Sequence, residues 1–155
     1  MKTTTPLDYR QIMAAAAEFV AEERPQVESP AALANLLRPL TQTGIEQEHF
    51  WVILLNAKNR VCHIHLATLG LVDRAQVHAR EIFREAIRHS ASRIVLAHNH
   101  PSGDPTPSPQ DIACTRSMVE AGKIIGIDVL DHVVLGHATA SRPKDFLSLR
   151  EENLM

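Results

Sequence analysis

The most regular hydrophobic pattern in the chain lies between residues 78 and 89. Its apolar positions follow the i, i+3, i+4, i+7, i+8 spacing of one helix face, and charged side chains occupy the opposite face. The apolar set is Ala79, Ile82, Phe83, Ala86 and Ile87. This spacing predicts an amphipathic helix that packs against a sheet.

Two further helices are predicted towards the N-terminus. Alanine and larger apolar residues predict a helix over 8–23, which a proline ends. Ser29 followed by Pro30 is typical of a helix start, with serine as the cap and proline in the first turn. We predict that this second helix is short and ends at about Leu37, before Pro39.

Four segments predict strands. Residues 50–55 are apolar without alternation, which is typical of a strand covered on both faces. Residues 61–68 alternate and follow a short polar turn, so we expect them to form the hairpin partner. Two further segments, 93–97 and 129–135, flank a fourth helix that begins near Ser108 and ends near Gly126. The order β, β, α, β, α, β predicts an α/β fold with a mixed sheet and flanking helices.

The composition is that of one ordinary globular domain. The chain has 155 residues, of which 45% are hydrophobic and 22% charged, and a domain of this length can bury a single core. The formal net charge is −2, so the chain has no overall positive field to attract a phosphate backbone. Nucleic acid is therefore not the expected partner.

Neither a targeting segment nor a cysteine metal motif is evident in the sequence. No apolar run approaches the roughly 20 residues that span a bilayer, and the N-terminus lacks the apolar stretch of a signal peptide. We expect a cytoplasmic protein with no membrane partner. Cys62 and Cys114 are far apart in sequence, which excludes a CxxC zinc knuckle. Any bound metal would therefore have nitrogen and oxygen ligands.

The candidate chemistry lies in LAHNHPSGDPTPSPQD, residues 96–111. If the preceding strand continues, His98 and His100 project from one face, about 6.6–6.8 Å apart along the chain, and could share one ion. The Pro/Gly segment that follows must turn. Ser108 is then a natural helix N-cap, and Asp111 falls in the first helical turn. Two imidazoles and one carboxylate make three ligands, which is the number typical of a catalytic zinc site with a fourth position for water.

Parts of this pattern have simpler explanations when they are taken alone. Ser108 and Asp111 would then form a helix cap, with the carboxylate favoured by the helix dipole. His63 and His65 repeat the histidine spacing without a nearby carboxylate or turn, so we expect a structural role for them. At the end of the 93–97 strand, however, two histidines, a turn and a capping carboxylate coincide. Metal binding is the better hypothesis there.

A hydrolytic zinc site also needs a general base. Glu48 stands immediately before the apolar 50–55 segment, where it could face the end of a neighbouring strand. A solvated carboxylate is the commoner role for such a residue. The pattern alone leaves Glu48, Glu46 and Glu81 open as the base.

Two further polar residues, Asp131 and His132, lie near the start of the last predicted strand. They could contact the site, because ligating histidines usually donate their other N–H to a neighbouring group. A turn explains such a pair as easily, and we favour a structural role. We interpret Trp51 and Cys114 as core residues.

The sequence resembles the metal motif of the JAMM (MPN-plus, Mov34/JAB) metalloprotease superfamily in the spacing His98-x-His100, seven residues, Ser108-x-x-Asp111. In that superfamily a distant glutamate precedes an apolar strand, as Glu48 does. The longer run from Arg80 through HNHPSGDPTPS to GIDVLDHVVLG is similar to the RadC family of bacterial JAMM-domain proteins. The similarity covers about residues 40–137.

This resemblance implies the roles of the site residues and a reaction. His98, His100 and Asp111 would bind Zn²⁺. Glu48 would handle the proton of the attacking water, and Ser108 would help to stabilise the developing oxyanion. The implied fold is a cytidine-deaminase-like JAB/MPN fold. The implied activity is hydrolysis of an amide or isopeptide bond in a protein or peptide substrate.

The same resemblance provides an alternative function. We assign residues 1–39 to an N-terminal helical extension and 40–155 to the JAMM domain. Many RadC proteins carry an N-terminal helix-hairpin-helix domain that suggests a DNA role. The residues before the JAMM similarity contain neither a Gly-containing hairpin nor a basic cluster. An accessory protein associated with nucleic acid, as in DNA repair, is therefore the alternative.

Overall fold

The fold is built on a five-stranded mixed sheet. The computed structural model describes residues 8–41, 47–69 and 77–155. In chain order the elements are α1 Tyr9–Glu23, α2 Pro30–Thr41, β1 His49–Leu55, β2 Val61–Leu69, α3 Ala79–Arg88, β3 Arg93–Asn99, α4 Pro109–Ile125, β4 Asp128–Leu135 and β5 Phe146–Ser148. The strand order is β2-β1-β3-β4-β5. β3 and β4 pair in parallel, and the other neighbours pair antiparallel. The predicted α/β fold with a mixed sheet and flanking helices is confirmed.

Both faces of the sheet are covered, which explains the unbroken hydrophobicity of β1. All seven side chains of β1 are buried. Trp51 and Ile53 join the core with α1 and α2, whereas Phe50 and Val52 join the core with α3 and α4. Because successive strand residues point to opposite faces, each layer of helices has its own core.

The N-terminal helices pack against the sheet. Ile12 of α1 and Leu33 of α2 belong to the core cluster that contains Trp51. The indole Nε1–H of Trp51 donates a hydrogen bond to the Tyr9 hydroxyl at 2.7 Å. α1 and α2 thus form one layer of the fold. The division of the chain into 1–39 and 40–155 stays a prediction.

The long predicted helices match the observed ones within one residue at each end. α1, α3 and α4 correspond to the helices predicted from residues 8, 78 and 108. Ser108 is the N-cap of α4, and Gly126 ends α4 with φ of 85°, in the left-handed region where glycine is favoured. Among the described residues, no helix combines the length and the hydrophobicity that crossing a bilayer requires.

The predicted end of α2 was wrong. The helix continues to Thr41, with Pro39 inside it, instead of ending near Leu37. The extra turn buries Leu40 to 1% exposure. Burial of a leucine side chain contributes about 1.5–3 kcal/mol, which is comparable with the roughly 3 kcal/mol cost of an internal proline. Packing therefore offsets the hydrogen bond that Pro39 cannot donate.

The strand predictions also differ in two places. β3 extends beyond the predicted residues 93–97 to Asn99, so His98 lies inside the strand and His100 directly follows it. β5 was not predicted, because its three residues are too few to show alternation. It is defined by its pairing with β4, in which Leu147 lies opposite Val134.

The packing of α1 can be followed through Tyr9, the single tyrosine of the chain. Burial raises the pKa of Tyr9 to about 12, against the opposing effect of the Trp51 hydrogen bond. In the unfolded chain a tyrosine titrates near 10. The stability that depends on keeping the buried Tyr9 hydroxyl protonated is therefore present below about pH 10 and is lost as the pH rises towards 12.

We expect the tyrosinate absorbance of the native protein to have its midpoint near 12, and that of the denatured protein near 10. Val20→Asp places a charge on the buried face of α1. Because this change should separate α1 from the sheet and return Tyr9 to water, it should lower the native midpoint. Glu18→Ala, at an exposed position on the same helix, should leave it unchanged. A native midpoint near 10 would contradict the packing of Tyr9 against the sheet.

Candidate metal centre

Three chain segments meet at one end of the sheet. β1 and β3 are antiparallel neighbours with Phe50 opposite His98, so the start of β1 lies beside the end of β3. Glu48 precedes β1, and His100 follows β3. The turn after β3 leads into α4, whose first turn carries Asp111. The fold thus brings together side chains that are far apart in sequence.

Four of the predicted site residues form a compact cluster of donor atoms. The cluster contains Glu48, His98, His100 and Asp111, each with a ligand atom within 4.8 Å of the others. The Nε2 atoms of His98 and His100 are 3.0 Å apart. Asp111 Oδ2 lies 3.4 Å from the first and 3.3 Å from the second. In a tetrahedral zinc site with Zn–N distances of about 2.0–2.1 Å, neighbouring ligand atoms are about 3.3 Å apart. These three atoms therefore fit one face of a zinc coordination tetrahedron.

Glu48 stands slightly apart from this triangle. Its Oε1 atom is 3.8 Å from His98 Nε2, and its side chain is 9% exposed. Of the other two glutamates that the sequence left open, Glu81 lies in the first turn of α3, outside the cluster, and Glu46 lies outside the described residues. The structure therefore places Glu48 beside the three closely spaced donors.

Ser108 and Asp111 form a reciprocal cap at the start of α4. The Ser108 N–H donates to Asp111 Oδ2 at 2.8 Å, and the Asp111 N–H donates to Ser108 Oγ at 3.1 Å. Burial acts to raise the pKa of Asp111, but contacts with His100, His98 and the Ser108 N–H hold that pKa well below its usual range. The carboxylate therefore stays ionised, and Asp111 both caps the helix and offers a charged donor to the cluster.

The ring of His100 is also held on the side away from the cluster. Its Nδ1 lies 2.8 Å from the carbonyl oxygen of Asp104. A carbonyl can only accept, so Nδ1 carries a proton, and in the neutral ring Nε2 is then the atom that keeps a lone pair for a metal ion. This is the arrangement that a metal-ligating histidine commonly has.

Asp131 and His132 have different roles because they point to opposite faces of β4. Asp131 accepts hydrogen bonds from the Ser148 hydroxyl at 2.6 Å and from the Arg150 N–H at 3.1 Å, so it holds the segment around β5. His132 instead lies 2.7 Å from the ring of His98. The structural interpretation is confirmed for Asp131, whereas His132 contacts a residue of the candidate cluster.

Asn99 is a residue that the sequence reasoning missed. The His49 N–H donates to Asn99 Oδ1 at 2.7 Å, and Asn99 Nδ2 donates to the Gln47 carbonyl oxygen at 3.2 Å. These bonds flank Glu48 in the chain, so Asn99 fixes the backbone that carries this carboxylate. Asparagine is depleted in strands, and its presence between two histidines at a strand end was the available signal.

Two glycines hold the turn between β3 and α4. Gly103 adopts φ of 88°, and its carbonyl oxygen accepts from the His137 N–H at 2.7 Å and from Arg142 Nη2 at 2.9 Å. A Cβ on Gly136 would lie 2.1 Å from that same oxygen. The turn can therefore approach the end of β4 only because residue 136 has no side chain.

The other histidine pair does not join the cluster. His63 and His65 lie on the edge strand β2, and the His63 ring stacks on His89 with centroids 4.1 Å apart. Trp51 and Cys114 are buried in the two cores, as predicted.

The fold and the donor set define the class of the protein: a mixed α/β domain with a candidate centre for a divalent metal ion. Sequence comparison then identifies the family. The chain belongs to the RadC-like JAB domain family, whose model matches residues 27–154. The resemblance drawn from the histidine and aspartate spacing is thereby confirmed.

Relatives from several bacteria extend this similarity. A UPF0758 protein of Desulforudis audaxviator is 44% identical over 133 residues, which are 86% of this chain and 55% of the relative. A UPF0758 protein of Enterococcus faecalis is 49% identical over 110 residues, 71% of this chain and 45% of the relative. A UPF0758 protein of Symbiobacterium thermophilum is 47% identical over 128 residues, which are 82% of this chain and 51% of the relative. The chain thus spans about half the length of these curated relatives.

Gly136→Ala tests the packing of the turn. The added methyl group overlaps the Gly103 carbonyl, so either the turn or the end of β4 must shift, at a cost of about 1–3 kcal/mol. Chemical denaturation should show this loss, and the NMR signals of His100 should move. Gly126→Ala, where an added Cβ has nothing within 4 Å, carries only the backbone cost of its positive φ and should leave the His100 signals in place. Unchanged stability and unchanged His100 signals in Gly136→Ala would contradict the close approach.

Proposed function

We propose that the domain is a zinc-dependent hydrolase that cleaves an amide or isopeptide bond in a protein or peptide. The observation that carries this proposal is the cluster of Glu48, His98, His100 and Asp111, whose donor atoms lie within 4.8 Å of one another. Imidazole and carboxylate ligands suit Zn²⁺. When bound, Zn²⁺ would polarise the scissile carbonyl and lower the pKa of water to about 7.

Glu48 is proposed as the group that transfers the proton. Its carboxylate accepts a proton from the attacking water, whose oxygen forms a bond to the amide carbon. The C–N bond then breaks, and Glu48 returns the proton to the leaving nitrogen. The near-complete burial of Glu48 and the Asn99 hydrogen bonds to its neighbours support a fixed position for this carboxylate.

Ser108 is proposed to stabilise the oxyanion. Its Oγ accepts the hydrogen bond of the helix cap, so its hydroxyl proton is not used in that bond and can be donated to the substrate. A donor of this kind contributes about 3 kcal/mol when it is held in place before the reaction. The cap that shapes the start of α4 would then also orient a catalytic hydroxyl.

Zinc content distinguishes this proposal from a metal-free role. Protein purified without chelators should contain stoichiometric zinc, and His100→Ala should lose most of it because one of the three closely spaced donors is gone. His65→Ala, which changes the second histidine of the other His-x-His pair, should retain the metal. Elemental analysis makes the measurement, and equally low zinc in wild type and His100→Ala would contradict the proposal.

Glu48→Gln separates chemistry from metal binding. The amide keeps the shape of the side chain but cannot accept the proton, so turnover should fall by about 10²–10⁴-fold while zinc content is retained. Glu81→Gln, a change at another glutamate that the sequence left open, should leave turnover unchanged. Hydrolysis of a fluorogenic peptide-amide library measures both variants.

Full turnover in Glu48→Gln would refute the assigned base. Binding of DNA at physiological salt, with zinc present but no amide hydrolysis, would favour the accessory protein associated with nucleic acid. The substrate class and a cytoplasmic location stay parts of the proposal.

A further inference from the structure

A buried chain of hydrogen bonds joins the two elements that carry the candidate ligands. The Thr115 hydroxyl donates to the Asp111 carbonyl oxygen at 2.7 Å. Thr115 Oγ1 also lies 2.5 Å from His132 Nδ1, and His132 Nε2 lies 2.7 Å from His98 Nδ1. Thr115, His132 and His98 all have 0% exposure. This series of hydrogen bonds therefore runs from the backbone of α4 to the ring of His98, a candidate ligand on β3, through side chains shielded from bulk water.

The Asp111 carbonyl oxygen determines which atom donates and which accepts in each of these hydrogen bonds. A carbonyl oxygen accepts only, so the single hydroxyl proton of Thr115 is used there. Thr115 Oγ1 must then accept from His132, which places the His132 proton on Nδ1. A neutral His132 has its lone pair on Nε2, and this lone pair accepts the Nδ1–H of His98.

We propose that Thr115 and His132 are positioning residues that hold the proton of His98 on Nδ1, so that its Nε2 lone pair faces Asp111 and His100. This proposal rests on the proposed function in taking Nε2 as the metal-ligating atom. The tautomer of His98 is a property of the protein itself and can be measured in the absence of metal.

The competing arrangement is chemically distinct. If Thr115 turned its proton towards His132, then His132 would donate to His98 Nδ1 and the His98 proton would lie on Nε2. That proton would occupy the position of the ligating lone pair and would face His100 Nε2, 3.0 Å away, and Asp111 Oδ2, 3.4 Å away. A second proton on His132 would instead bury a charge in a site without solvent, which is costly. The position of one proton on His98 therefore decides between the two arrangements.

Thr115 offers a matched pair of substitutions. Thr115→Val keeps the shape of the side chain and removes the hydroxyl, whereas Thr115→Ser keeps the hydroxyl and removes a methyl group. If the hydroxyl sets the tautomer, zinc affinity measured by competition with a chelator should fall about 10–100-fold in Thr115→Val. Thr115→Ser should stay within a few-fold of wild type. A packing role alone would give the opposite order, because only the serine variant leaves a cavity.

The tautomer is measured directly by long-range ¹H–¹⁵N spectra of metal-free protein labelled at histidine nitrogen. The His98 signals are assigned by their loss in His98→Gln. We expect His98 to be protonated on Nδ1 in wild type and in Thr115→Ser, and to gain the Nε2–H form in Thr115→Val. Protonation of His98 on Nε2 in the wild type would overturn the proposal.

Zinc and tautomer measurements also separate failure of this inference from failure of the proposed function. Wild type that binds no zinc, yet shows the expected tautomers in all three proteins, would refute the hydrolase proposal and support the positioning role. Wild type that binds zinc, with equal affinity and unchanged tautomers in Thr115→Val, would overturn the positioning role and leave the hydrolase proposal standing.

Discussion

The antiparallel pairing of β1 with β3 is the interaction on which the candidate centre depends. With Phe50 opposite His98, the residue before β1 lies beside the histidines at the end of β3. A slip of one residue would turn the β1 side chains to the opposite face of the sheet. Both faces are buried, and Trp51 and Phe50 belong to different cores, so such a slip would disrupt both. The packing that stabilises the sheet also fixes the distance between Glu48 and His98.

Residues that do not belong to the cluster hold those that do. The Asp104 carbonyl fixes the ring of His100, His132 contacts the ring of His98, and Asn99 fixes the backbone on both sides of Glu48. Gathering two imidazoles and two carboxylates in a buried place costs desolvation energy. These contacts offset part of that cost and limit the number of orientations that the donors can adopt.

Sequence alone predicted the parts of the site that are local. His98, His100, Ser108 and Asp111 lie within one short segment, where strand periodicity and helix capping relate them. Glu48 could be chosen from three glutamates only through family resemblance, because its position depends on which strands pair. Thr115 and Asn99 were missed, and the contact of His132 with His98 was not favoured, for the same reason, since their partners lie on neighbouring elements of the fold. The end of α2 was wrong because packing of Leu40 outweighed a local rule about proline.

The close approach of Gly103 and Gly136 restricts the movement of the turn before α4. Most loops beside a site can change length or shape at little cost. The turn before α4 is instead held by Gly136 after the end of β4 and by the hydrogen bond from Arg142. It therefore forms a fixed boundary of the site and does not act as a lid that closes over it. Any change of shape that accompanies binding would then have to come from other segments around the cluster.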